Sequence, residues 1–88
     1  MRHARRQARE VALQALYAWQ LSGSDPLEEA RSNDAYEKTE FLEELLRGVR
    51  SRAAELEALI RPHLARDFER LSPVERAILY IGAYELAH

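Results

Sequence analysis

SPVERAILYIGAYELA, residues Ser72–Ala87, is the stretch on which the fold turns. Ser72-Pro-Val-Glu75 opens it as a helix: Ser72 can cap, Pro73 suits the first turn, and Glu75 can reach back to complete a capping box. Beyond Glu75 the pattern is apolar on nearly every side. A helix of that kind is buried all round and needs neighbours on both flanks. Segments earlier in the 88-residue chain can cover one flank, and nothing remains to cover the other. The pattern also reaches His88 without a Gly, Asn or Pro stop. The expectation is a fragment whose further C-terminal helices pack on the uncovered side. Failing that, the uncovered side of 72–88 is an oligomer interface, as in a homodimer.

Working back from Ser72, the sequence reads as further helices and no strands. Tyr36 to Ile60 forms a long helix with a stripe of Phe41, Leu45, Val49, Ala53, Leu56 and Ile60, widened by Leu42, Leu46 and Leu59. Gly48 costs about 1 kcal/mol inside it relative to Ala unless a neighbour needs the space. Pro62 breaks this helix, and a turn or short helix runs from Leu64 to Leu71. Before it, Asp25-Pro26-Leu27-Glu28 is a helix start that Ser32-Asn33-Asp34 soon stops. The first helix spans His3 to Leu21, with a core face of Ala4, Ala8, Val11, Ala12, Ala15 and Trp19. Its alanines suit close approach to a partner helix. The fold class is all-α, a helical bundle.

Charge is distributed unevenly behind a net value of −2. Residues 1–10 hold four arginines against Glu10, a balance of +3, whereas residues 25–44 hold eight acids against Arg31 and Lys38, a balance of −6. Arg2, Arg5, Arg6 and Arg9 stand at i, i+3, i+4 and i+7 and share one helix face, at about 100° per residue. Cations at a helix N-terminus oppose the macrodipole, so the placement asks for a functional reason. Guanidinium groups pair with phosphates and stack on unpaired bases, which suits single-stranded RNA. The plain alternative is a solvated helix face. Tyr17 lies three turns beyond Arg6 on nearly the same side. There it is either a base-stacking platform or a peripheral core residue with its hydroxyl in water.

Several function classes are excluded. There is no cysteine, and His3, His63 and His88 show no His-x-x-x-His pairing, so neither a metal site nor a cofactor is expected. No Gly-rich phosphate loop, activated serine or His–carboxylate constellation supports catalysis. The basic start runs into a stretch interrupted by Glu10 and Gln14, unlike a signal peptide, and no apolar run has membrane-spanning length. A soluble, cytoplasmic protein with no membrane partner is expected.

Ala8-Arg-Glu-Val-Ala-Leu-Gln-Ala-Leu-Tyr-Ala-Trp-Gln20 resembles the opening helix of the NusB family of bacterial transcription antitermination factors. Phe41-Leu-Glu-Glu-Leu-Leu-Arg-Gly-Val49, Ile60-Arg-Pro-His-Leu64 and Ser72-Pro-Val-Glu-Arg-Ala-Ile-Leu-Tyr-Ile-Gly-Ala-Tyr-Glu-Leu86 resemble later parts of it, in order. The resemblance implies an N-terminal three-helix RNA-binding subdomain over 1–71 and the first, central helix of a second subdomain at 72–88. It further implies binding of the boxA element of nascent ribosomal RNA together with NusE, a ribosomal small-subunit protein. That complex promotes read-through by RNA polymerase in an antitermination complex, and no bond is made or broken. Arg2, Arg5, Arg6, Arg9 and Tyr17 are then the RNA-binding residues. His63 stands where the family often has an RNA-contacting tyrosine, a departure that leaves a smaller ring for stacking. Glu75 matches an acid implicated in partner binding, a role compatible with capping, while Glu85 reads as a structural acid. The alternative is the NusB-like N-terminal domain of a small-subunit rRNA cytosine methyltransferase.

Overall fold

The computed structural model describes residues 2–88, with side chains from Ala4 onward. Among these residues there are five α-helices, two single 3-10 turns and no strand. Helix α1 spans Arg2–Ser22. It ends where Gly23 adopts φ +77 and donates its N–H to the Trp19 carbonyl at 2.8 Å, a left-handed stop that glycine accepts without steric cost. Helix α2, Pro26–Arg31, begins as its sequence dictates: Asp25 Oδ1 accepts from the Leu27 N–H at 3.0 Å, and Pro26 fills the first turn.

The expected long helix over 36–60 is two helices with a later start. Helix α3 spans Glu40–Ser51, with Thr39 Oγ1 accepting from the Leu42 N–H at 3.1 Å. Helix α4 spans Ala53–Ile60. Between them Arg52 leaves helical geometry at φ −115, ψ 19. Neither Gly nor Pro marks the break; packing overrides local propensity. The bend keeps Leu56 and Ile60 buried as α4 runs against the last helix, and it leaves Leu59, expected in the stripe, 49% exposed. The 3-10 turns Arg61–His63 and Phe68–Arg70 then lead into α5, Pro73–Ala87. Its capping box is complete: Ser72 Oγ accepts from the Glu75 N–H at 3.1 Å, and Glu75 Oε1 accepts from the Ser72 N–H at 2.8 Å.

Leu16, Leu42, Leu45, Leu46, Leu56, Val11 and Val49 fill the centre. On α1 the expected face is present at Ala8, Val11, Ala12 and Ala15. It is corrected at its edges, where Ala4 is exposed and Leu16, one position round the helix, is fully buried. Trp19 is half-buried against Tyr80, with ring centroids 6.1 Å apart. Gly48 resolves its apparent flaw, because a methyl group there would overlap the Tyr84 ring of α5.

Helix α5 packs on α1, α3 and α4 and is covered on one side only. Ile78 is 54% exposed and Leu86 92%, with Val74 on the same ridge. The uncovered flank expected from the sequence is a feature of the folded molecule. No helix is long and apolar enough to cross a membrane among the described residues.

Candidate nucleic-acid interface

The arginine face of α1 lies along its seam with α5, and the two helices run antiparallel. Gln20 Nε2 donates to the Pro73 carbonyl at 2.8 Å at one end, and Arg9 meets Glu85 at the other. The acidic loop after α2 is held against α1 by Gln7 Nε2, which donates to the Ala35 carbonyl at 2.7 Å, and by Asn33 Nδ2, which donates to Gln14 Oε1 at 2.9 Å. These ties fix the helix that carries the stripe at several points along its length.

The described arginines have three different environments. Arg5 lies over the half-buried ring of Phe41, its Cζ 4.6 Å from the centroid. Arg9 lies over the same ring at 5.5 Å. It also forms a two-point fork with Glu85: Nε donates to Oε2 at 2.9 Å and Nη2 to Oε1 at 2.6 Å. The fork holds the Glu85 carboxyl below its ordinary range and raises the Arg9 guanidinium further, with partial burial opposing both shifts. Arg6 is exposed and has neither a carboxylate nor a ring partner among the described residues. With Arg9, Glu10, Leu13, Ile78 and Ile81 it borders an open groove of about 340 Å³. The Arg2 side chain lies outside the described residues.

Tyr17 is 40% exposed on the continuation of this face, beyond Leu13. From Arg6 it is eleven residues, or about 16 Å, along the helix axis, a reach of a few nucleotides. Glu75 sits at the same end of the seam as Tyr17, its carboxylate engaged with Ser72 and held below the usual range by that backbone N–H.

His63 is not brought to the stripe. It is exposed in the first 3-10 turn and borders a second groove, of about 500 Å³, with Leu59, Leu64, Leu79 and Leu86. The two grooves flank opposite sides of the α5 ridge and share no residue. No group of three or more metal-ligating side chains occurs among the described residues.

Sequence reasoning placed Phe41 in the buried stripe and did not connect it with the arginines. The separation of 32 to 36 positions from Arg9 and Arg5 carries no local signal; only the packing of α3 against α1 joins them.

The arrangement can hold a flexible anionic strand: cations along one helix face, one of them without a carboxylate or ring partner among the described residues, with an exposed aromatic ring further along. Comparison with known proteins gives the family. The family model described as NusB family matches residues 6–88. A transcription antitermination protein NusB of Pseudoalteromonas atlantica is 49% identical over 89 residues, covering 94% of this chain and 63% of the relative. That of Shewanella loihica is 41% identical over 87 residues, covering 93% and 65%. That of Photorhabdus laumondii is 44% identical over 90 residues, covering 97% and 65%. The chain thus spans a little under two thirds of the length of these relatives.

Proposed function

The chain belongs to the NusB family, and from that premise we propose that it carries the RNA-gripping part of a transcription antitermination factor. Its ligand is the boxA element of nascent ribosomal RNA, bound together with NusE, and the outcome is read-through by RNA polymerase. The role is binding without catalysis, exercised in the cytoplasm. Residues 1–71 supply the RNA-binding unit and 72–88 begin the second subdomain. The carrying observation is the α1 face, where Glu85 is the one acid bonded to its three described arginines and Arg6 has no carboxylate partner among the described residues. Tyr17 extends this face as a stacking surface, and Glu75 at the end of the seam serves the protein partner. His63, across the α5 ridge, contacts RNA only where the strand passes over to the second groove. The antitermination name borne by the relatives favours this reading over an accessory domain of a methyltransferase.

The test is titration of the chain with a fluorescein-labelled boxA-like single-stranded RNA, read by anisotropy at several KCl concentrations. Each neutralised phosphate on a single strand contributes about 0.7 to the slope of log K against log salt. Replacing Arg5, Arg6 and Arg9 together by Ala should weaken binding and flatten that slope by about 2. Unchanged affinity with an intact helical circular dichroism spectrum would overturn the assignment of this face.

A further inference from the structure

Arg9 is held on two sides and open on a third. Its fork to Glu85 uses Nε and one Nη2 hydrogen. No hydrogen bond engages Nη1 among the described residues, and the side chain is 45% exposed. The Phe41 ring lies beneath the Arg9 guanidinium carbon, 5.5 Å from it, and also carries Arg5, one turn earlier. A free arginine on a helix surface samples many rotamers and loses that freedom when it binds a phosphate. Here the carboxylate fixes one edge of the plane and the ring fixes one face. The outward edge, Nη1 with the second Nη2 hydrogen, stays available for two-point contact with phosphate oxygens.

Resting on the RNA-binding reading above, we propose that Glu85 and Phe41 are positioning residues of the RNA-binding face: they hold Arg9, and through the shared ring Arg5, in the orientation that receives the phosphate backbone. Neither residue touches the RNA. Glu85 is in this respect unlike an ordinary acid beside an anion site. Simple charge repulsion makes such an acid inhibitory, and its removal tightens anion binding. Positioning gives the opposite sign. Positioning also gives a reason for an acid inside the positive face, 76 positions away from its arginine in sequence.

The experiment compares the wild-type chain with Glu85→Gln, Phe41→Leu and Phe41→Tyr in the same anisotropy titration with boxA-like single-stranded RNA across KCl concentrations. Glu85→Gln and Phe41→Leu should each weaken binding by about three- to tenfold, the cost of re-ordering one long side chain. The salt slope should stay at the wild-type value, because no phosphate-contacting cation has been removed. Phe41→Tyr, which keeps the aromatic face, should retain wild-type affinity. Tighter or unchanged binding by Glu85→Gln overturns the proposal, as does unchanged affinity in a Phe41→Leu chain with wild-type helical content. Should Phe41→Leu lose helical content, Glu85→Gln decides alone, since the fork it alters is a partly exposed surface pair. A wild-type chain that shows no salt-dependent RNA binding instead overturns the RNA reading itself. Salt-dependent binding with a tighter Glu85→Gln overturns only the positioning role.

Discussion

The molecule stacks two arginines on a phenylalanine twice, at Phe41 and at Phe68, and uses the two constructions differently. At Phe68 the ring is buried, with Arg61 and Arg76 at 5.3 and 5.4 Å from its centroid and Tyr80 edge-on at 5.7 Å. Each guanidinium there is committed. Arg76 donates through Nε to the Phe68 carbonyl at 3.2 Å and through Nη2 to the Glu69 carbonyl at 2.7 Å, while Arg61 pairs with both Glu57 and Glu69. The pair ties the connection between α4 and α5 to the bundle. At Phe41 the ring is half-buried, one carboxylate serves Arg9, and Arg5 rests on the ring with no bonded acid among the described residues. Similar parts therefore make a closed structural knot in one place and an open cationic face in the other. What separates them is whether the donors are matched by acceptors inside the molecule.

The largest separation should come from truncating the two rings. Phe68→Ala should cost about 3–5 kcal/mol in urea unfolding, as expected for a buried aromatic. Phe41→Ala should cost about 1–2 kcal/mol, since only part of that ring leaves water on folding. Equal losses would erase the distinction between knot and face.

The arginines should divide in the same way with smaller numbers. Arg76→Ala removes two hydrogen bonds, though the Phe68 carbonyl keeps the Leu71 N–H, and should cost about 1–3 kcal/mol without altering the salt slope of RNA binding. Arg6→Ala should change stability by less than about 0.5 kcal/mol, as for surface positions with no special contact. Urea titration and RNA titration of the same two variants read both halves of this contrast.

Acid should loosen both constructions slightly. Arg61 holds Glu69 at about 2, and Arg9 holds Glu85 below the ordinary value of 4.5. A carboxyl depressed in the folded state contributes stability above its unfolded value, and that contribution is lost as pH falls through the folded one. Melting temperature should therefore fall as pH drops below 4.5 toward 2, and the Glu69→Gln chain should lose less over that window. Because Glu69 is largely exposed, solvent screening keeps the effect small. A rise in stability on acidification would contradict the assigned direction.

Much of the fold was legible where local chemistry decides it. Asp25-Pro26 and Ser72-Pro73-Val74-Glu75 start helices as read, and the spacing of Val11, Ala12 and Ala15 gave the buried face of α1. The all-round apolar character of 74–87 announced a helix with one flank uncovered, and Val74, Ile78 and Leu86 are that flank. The bend at Arg52 was not legible, because it answers to the packing of α4 on α5 and leaves no glycine or proline behind. Leu59 and Ala4 were misplaced for the related reason that periodicity gives a face but not where that face ends. At the candidate site, the common face of the arginines could be read directly. Their separate environments could not, since Phe41 and Glu85 reach Arg9 only through tertiary packing.

The central claim is that the open α1 face, and not the closed knot, meets RNA phosphates. Its most direct measurement is the salt slope of boxA-like RNA binding for the wild-type, Arg6→Ala and Arg61→Ala chains. Loss of Arg6 should lower the slope by about 0.7, the contribution of one single-strand phosphate, and loss of Arg61 should leave it unchanged. Equal slopes for wild type and Arg6→Ala, or a drop confined to Arg61→Ala, would contradict the account.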